Sequence, residues 1–263
     1  MFNKHPKGLI AAALANLGER FGFYTMMAIL VLFLQAKFGM NGKEAGFIYS
    51  TFYFSIYILA LVGGIIADKT RNYKGTIFTG IVLMAVGYLL LAIPSKTPVD
   101  NKMLYLVITC ASLFVIAFGN GLFKGNLQAL VGQMYDNPQY ANMRDSGFSL
   151  FYMFINIGAI FAPFAAVGVR NWWLSTFGYN YDADLPALCH GQLAGTLSPE
   201  ATETYHTLVT KASTAPVQDY TAFASDYLNV FTTGFHYAFG VAIIAMAISL
   251  TIYWLNKKNF PDP

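Results

Sequence analysis

Six stretches of this chain are apolar over close to the length needed to cross a bilayer. They run approximately Leu9–Ala36, Ala45–Ala67, Thr76–Ile93, Met103–Val131, Gly147–Val169 and Phe235–Leu255. A helix rises about 1.5 Å per residue, so about 20 apolar residues span the hydrocarbon core. The first and fourth stretches are longer and are expected to tilt, bend or protrude. Backbone polar groups in lipid must be satisfied within the segment, so runs of this length imply helices rather than barrel strands. Charged residues make up 11% of the chain, against about 25% in a soluble domain, so the polar cover of a soluble globule is missing. Two cysteines exclude a disulfide scaffold, 23 Phe and 17 Tyr exclude disorder, and a net charge of +3 makes no case for nucleic acid. The expected fold class is an all-α membrane protein, a bundle of six transmembrane helices.

Lys4 and Lys7 precede the first run, and Ala13-Leu14-Ala15 resembles a signal-peptide cleavage site. The apolar stretch ahead of it is about six residues, shorter than an h-region, and the run continues to Leu34, so the segment is expected to remain as a helix. Placing the N-terminus inside puts Lys4, Lys7, Lys69, Arg71, Lys74, Arg144, Lys257 and Lys258 on the cytoplasmic side. Lys37, Lys43, Lys96 and Lys102 then fall in short outer loops. This excess favours both termini in the cytoplasm. The expected organisation is five spans within 1–168, an outer segment 169–233, a sixth span in 234–258 and a cytoplasmic end or linker in 259–263. In the polar outer segment, Ser198-Pro199-Glu200 reads as an N-cap, a first-turn proline and a dipole-matched acid. A second short helix is expected near Gln218–Val230. The segment is either a lid or docking element or a plain surface elaboration. Cys189 lies within it and Cys110 within a helix, so no internal disulfide is expected.

The informative residues are the ionisable ones inside the spans. Glu19 and Arg20 lie about 15 Å into the first helix, near the bilayer midplane, and Lys124 interrupts the fourth. Each such charge costs about 2.5–3.5 kcal/mol to insert, so a chain keeps three only where they pair or face a cavity. Asn16, Arg20 and Tyr24 recur every four residues, as do Glu19 and Phe23, and form a polar stripe. Tyr49, Tyr53 and Tyr57 repeat the spacing on the second helix, and Asn156 adds an amide on the fifth. The implied cavity is aromatic-walled and carries net charge +1, suited to an anionic group such as a carboxylate. Burial favours protonated Glu19 and the neighbouring cations favour its ionised form, so it is the natural proton carrier. The alternative is a static Glu19–Arg20 pair that locks helix packing, against which the additional cation Lys124 counts.

The tyrosine stripe has a packing reading too, and Lys69, Arg71 and Lys74 have a plain positive-inside one. His5, His190, His206 and His236 are expected at the surface or interface. The sequence holds no metalloprotease, nucleophile-elbow or phosphate-loop motif and no Cys/His cluster, so an enzyme is not expected. Gly119-Asn120-Gly121 lies inside an apolar run, where small residues allow helices to pack closely.

Four motifs resemble those of the proton-dependent oligopeptide transporter family, a branch of the major facilitator superfamily. Gly18-Glu19-Arg20-Phe21-Gly22-Phe23-Tyr24 is similar to the family's first-helix Glu-x-x-Glu-Arg-Phe-x-Tyr-Tyr signature. Gly63-Gly64-Ile65-Ile66-Ala67-Asp68 and the basic run to Lys74-Gly75 resemble the superfamily's loop between helices 2 and 3. Gly119–Asn126 resembles the fourth-helix Phe-Lys-Pro-Asn motif, and Phe148–Gly158 the fifth-helix signature. The resemblance covers about 1–168 and leaves the outer segment out. It implies coupling and carboxylate-binding roles for Glu19, Arg20 and Lys124. It further implies a peptide site lined by Tyr24, Tyr57 and Asn156, and a gating loop with Asp68 and Arg71. The family's first glutamate falls at Asn16, its second arginine at Met27 and its fourth-helix proline at Gly125, which leaves a less charged cavity.

The resemblance also implies the N-terminal half of a major-facilitator fold, a 3+3 inverted repeat in which helices 1 and 4 correspond. The second six-helix half then lies in the same longer chain or in another copy, and Asn259-Phe260-Pro261-Asp262-Pro263 resembles the linker between halves. The expected activity is proton-coupled symport of di- and tripeptides across the inner membrane, with protons as coupling ion and no cofactor. A transporter of another small carboxylate or drug-like solute, and a non-transporting scaffold or partner subunit, are the competing readings.

Overall fold

The computed structural model describes residues 4–261. Eight α-helices follow in order: α1 Lys7–Phe38, α2 Gly42–Thr70, α3 Tyr73–Ala92, α4 Lys102–Met134, α5 Arg144–Thr176, α6 Leu185–Ala194, α7 Pro199–Ala212 and α8 Tyr220–Leu255. Helices α1–α5 and α8 are each long and apolar enough to cross a membrane. The final Asp262 and Pro263 of the expected linker lie outside the described residues.

Short polar connections set the helix ends. Gly39 closes α1 in the left-handed conformation (φ 61°), its N–H returning to the Gln35 carbonyl. Asn41 then opens α2 with a capping box: its side chain accepts from the Glu44 N–H at 3.0 Å, and the Glu44 carboxylate accepts from the Asn41 N–H at 3.0 Å. Asn72, Asn101, Ser198 and Asp219 cap α3, α4, α7 and α8 with a side-chain oxygen that accepts a backbone N–H.

Helix α1 packs against α5 and α8 and more lightly against α2 and α4, while α4 packs closely on both α2 and α3. Glycine makes the α4 contacts possible. A Cβ on Gly119 would sit 2.7 Å from the Gly80 carbonyl oxygen of α3, and one on Gly121 would sit 2.5 Å from the Leu59 carbonyl of α2. Helices α2 and α5 flank α1 and are the least covered. Their exposed side chains include apolar and aromatic ones, Tyr53, Tyr57 and Leu61 on α2 and Tyr152, Ile160 and Phe164 on α5.

The segment after α5 departs from the expected loop. Helix α5 continues to Thr176 and α8 begins at Tyr220, so residues near 218–230 form the first turns of a long helix rather than a separate short one. An aromatic ladder of Phe223, Tyr227, Phe231 and Phe235, with ring centroids 5.1–5.6 Å apart, carries α8 through the polar Thr232-Thr233. Arg170 belongs to α5, buried, with its guanidinium 3.5 Å from the Tyr181 ring centroid and bonded to the Asn171 carbonyl oxygen. Helices α6 and α7 dock on this extension through buried Leu185, Cys189, Tyr205 and Val209, and the His190 ring donates to the Ala36 carbonyl at 2.7 Å. Burial pushes the Cys189 thiol up to about 12 and holds His190 below its ordinary range. Both cysteines are free.

Two histidines expected at the surface or interface are buried. His236 lies well inside α8, because that helix starts earlier than the apolar run, and its Nδ1 donates to the Leu91 carbonyl at 2.6 Å. His5 is held against the C-terminal end of α4, its Nδ1 2.8 Å from the Tyr135 hydroxyl.

Candidate functional site

Glu19 and Arg20 sit midway along α1, where Gly18 and Gly22 allow α8 to close behind them. Their side chains form a two-pronged pair: Arg20 Nε donates to Glu19 Oε2 at 2.5 Å, and Nη2 donates to Oε1 at 2.7 Å. Glu19 is fully buried and Arg20 nearly so. Asn120, on α4 between Gly119 and Gly121, completes the carboxylate: its Nδ2 donates to Glu19 Oε1 at 2.7 Å. The flanking glycines bring α4 close enough to α2 and α3 for this amide to reach α1. Arg20 also lies over the Phe23 ring, 4.8 Å from the centroid.

The expected three-charge cluster therefore divides. Glu19 and Arg20 neutralise one another, and among the described residues the only other ion pair is the exposed Arg144–Asp136. Lys124 lies one turn along α4 from Asn120, half-buried, with its ammonium 5.3 Å from the centroid of the Tyr57 ring. The net charge of +1 expected for the cavity is thus carried by Lys124 alone, beside a sealed neutral pair.

Tyr57, 54% exposed, donates to the Tyr53 hydroxyl at 3.1 Å, and Tyr49 stacks on Tyr53. Tyr24, half-buried, lies edge-on to Phe23. Asn156 is exposed on α5, on the other side of α1. Lys124 and Tyr57 are thus brought together, while Tyr24 and Asn156 are placed on α1 and α5 without a hydrogen bond or ring contact to either, and the ion pair is buried. Asp68 and Arg71 are exposed at the C-terminal end of α2. Asp68 accepts from the Tyr73 hydroxyl, and Arg71 ends the helix with a left-handed backbone (φ 51°). Among the described residues no cluster of three metal-ligating side chains occurs.

Sequence reasoning read Asn120 only as part of a packing motif. The available signal was its position: a polar residue exactly one turn before Lys124 in an apolar run. Tyr88 of α3 was also missed. It is fully buried, its hydroxyl has no partner among the described residues, and it lies within electrostatic reach of both Glu19 and Arg20.

The model of the POT family matches residues 74–263, and so takes in the outer segment that the motifs left out. The chain is 34% identical over 185 residues to the peptide transporter YePEPT of Yersinia enterocolitica, covering 68% of this chain and 34% of that protein. It is 34% identical over 179 residues to dipeptide and tripeptide permease A of Enterobacter sp., covering 67% and 32%. It spans about a third of the length of these curated relatives. Among solved structures it superposes on a peptide transporter POT in complex with sulfate, with a TM-score of 0.64 and 26% identity. That match covers 97% of this chain and 38% of the other. Together with six membrane-length helices arranged as one half of a major-facilitator fold, these matches show that the chain belongs to the POT family of transporters.

Proposed function

We propose that this chain supplies the N-terminal six-helix half of a proton-coupled symporter of di- and tripeptides in the cytoplasmic membrane. Both termini face the cytoplasm and α6 and α7 face outward, as the Lys and Arg distribution favours. The second half, from the same longer chain or another copy, covers the face between α2 and α5. The observation that carries the reading is the placement of Lys124. A cation with no carboxylate partner among the described residues lies against the exposed Tyr57 ring, one helical turn from Asn120, which holds the buried carboxylate–guanidinium pair.

A peptide carboxylate reaching this face meets Lys124 first. Arg20 is unavailable while Glu19 is ionised, because its guanidinium is engaged twice. A proton taken up by Glu19 removes the negative charge, weakens both bonds and releases the guanidinium to the substrate. Cargo and proton thereby favour the same state, and rocking of the two halves delivers both. Tyr24, Tyr57 and Asn156 contact the peptide, and Asp68 and Arg71 act in the loop that gates the cytoplasmic side.

The test is uptake of labelled dialanine by vesicles containing the complete transporter. Unlabelled dialanine competes, a monocarboxylate does not, and Lys124→Ala abolishes uptake. Competition by the monocarboxylate alone would indicate a different carboxylate, and unchanged uptake by Lys124→Ala would remove its assigned role.

A further inference from the structure

Asn120 holds Glu19 through one end of its carboxamide only. Nδ2 donates to Glu19 Oε1 at 2.7 Å, while Oδ1 is buried with no partner among the described residues. The other contact of Nδ2 is a weak one to the Met84 sulfur at 3.8 Å. An ionised carboxylate only accepts hydrogen bonds, whereas a protonated carboxyl carries an O–H donor. An amide offers both complements on one planar group, and here a half-turn about its terminal bond breaks no other strong hydrogen bond.

We infer that Asn120 is a positioning residue that reads the protonation state of Glu19, its N–H facing the carboxylate and its carbonyl facing the carboxylic acid. The inference rests on the proposed coupling role of Glu19. The proton enters from solvent onto a Glu19 oxygen. The amide turns, Oδ1 accepts the new O–H, and Nδ2 moves into the place Oδ1 leaves. The acid is then hydrogen-bonded without Arg20, so the guanidinium is free for substrate. The groups facing Glu19 are Arg20 from α1, Tyr88 from α3 and Asn120 from α4, and Tyr24 lies near Arg20. The Tyr88 hydroxyl is also neutral and unpartnered among the described residues, but of the uncharged groups Asn120 is the one hydrogen-bonded to the carboxylate, with an unused acceptor on the same amide.

Two variants of the complete transporter, reconstituted in proteoliposomes, test this. Asn120→Leu removes both complements. It is expected to lower proton-driven dialanine accumulation about tenfold while leaving proton-independent dialanine exchange intact. Asn120→Asp accepts from the acid but cannot donate to the carboxylate. Two carboxyls sharing one proton hold it to higher pH, so the pH profile of driven uptake moves alkaline. Asn120→Leu with unchanged accumulation and pH profile overturns the inference, as does equal loss of exchange and accumulation in a folded variant.

Infrared difference spectra on the unmutated transporter keep the inference testable should either variant misfold. Lowering pH is expected to raise a carboxylic C=O band together with a shift in an asparagine amide band, both absent in Glu19→Gln. A carboxylic band rising without an amide shift contradicts the inference. Failure of the unmutated protein to couple protons to peptide overturns the transport reading, whereas the spectra judge the amide separately.

Discussion

The Lys124 ammonium stands over the face of the Tyr57 ring, 5.3 Å from its centroid, rather than on the Glu19 carboxylate. The Glu19 oxygens accept from Arg20 and Asn120, and the α4 cation lies against an aromatic ring with no carboxylate partner among the described residues. Cation–π contacts at partly exposed sites contribute about 0.5–1 kcal/mol. Tyr57→Phe keeps the ring and is expected to leave the KM for dialanine unchanged. Tyr57→Leu is expected to raise KM about twofold to fivefold, read from initial uptake rates. Equal effects of both substitutions would assign the contribution to the hydroxyl instead.

The α3–α4 contact depends on the absence of a side chain at Gly119. A Cβ there would come within 2.7 Å of the Gly80 carbonyl and 2.8 Å of the Met84 nitrogen, both backbone atoms that cannot move aside cheaply. Gly119→Val is expected to destabilise the bundle by about 1–3 kcal/mol, seen as a lower melting temperature in detergent. Gly125, with open space around its Cβ direction, is the control: Gly125→Ala is expected to melt no lower than the unmutated protein.

At the far end of α1, buried Lys37 ties down the α3–α4 connection. Its ammonium donates to the Ser95 carbonyl at 2.5 Å, the Lys96 carbonyl at 3.3 Å and the Thr97 hydroxyl at 2.8 Å. Lys37→Met removes the donor shared by the half-buried Ser95 carbonyl, the exposed Lys96 carbonyl and the Thr97 hydroxyl, which keeps its bond to Thr232, and a lost hydrogen bond to a charged group costs about 1.5–3 kcal/mol. Differential scanning fluorimetry is expected to show the loss, and an unchanged transition would mean that the connection is held by other contacts.

Cys189 offers a pH-resolved check on the docking of α6 and α7. Its thiol is raised from 9.0 to about 12 by burial, so at pH 8 the reactive thiolate is about a thousandfold scarcer than for a free thiol. In a Cys110→Ser background, maleimide at pH 8 is expected to spare the folded protein and label it after denaturation. Fast labelling of the folded protein would show that α6 is not packed on α8.

Much of the fold was legible because lipid imposes one simple demand, an apolar run of sufficient length, and six such runs stand in the sequence. The ends of α5 and α8 were not. Arg170 reads as a loop charge until the Tyr181 ring that covers it is seen, and Gln218–Val230 reads as a separate short helix until the Phe223–Phe235 ladder shows it continuous with the sixth span. Within the site, midplane cost requires Glu19 and Arg20 to pair or to face a cavity, and the structure shows the pair. The partition that leaves Lys124 on Tyr57 depends on Asn120 occupying the carboxylate from another helix, a relationship across 101 positions that no local pattern encodes. His236 was misplaced for the same reason as α8, since its depth is set by where the helix begins.

The central claim is that a proton on Glu19 releases Arg20 to the substrate. The direct measurement is proton entry into proteoliposomes containing the complete transporter, followed with an internal pH dye after dialanine is added. The unmutated protein is predicted to acidify the lumen on addition of peptide. Glu19→Gln is predicted to show no peptide-driven acidification while still exchanging dialanine across the membrane. Peptide-driven acidification persisting at full rate in Glu19→Gln would contradict the account.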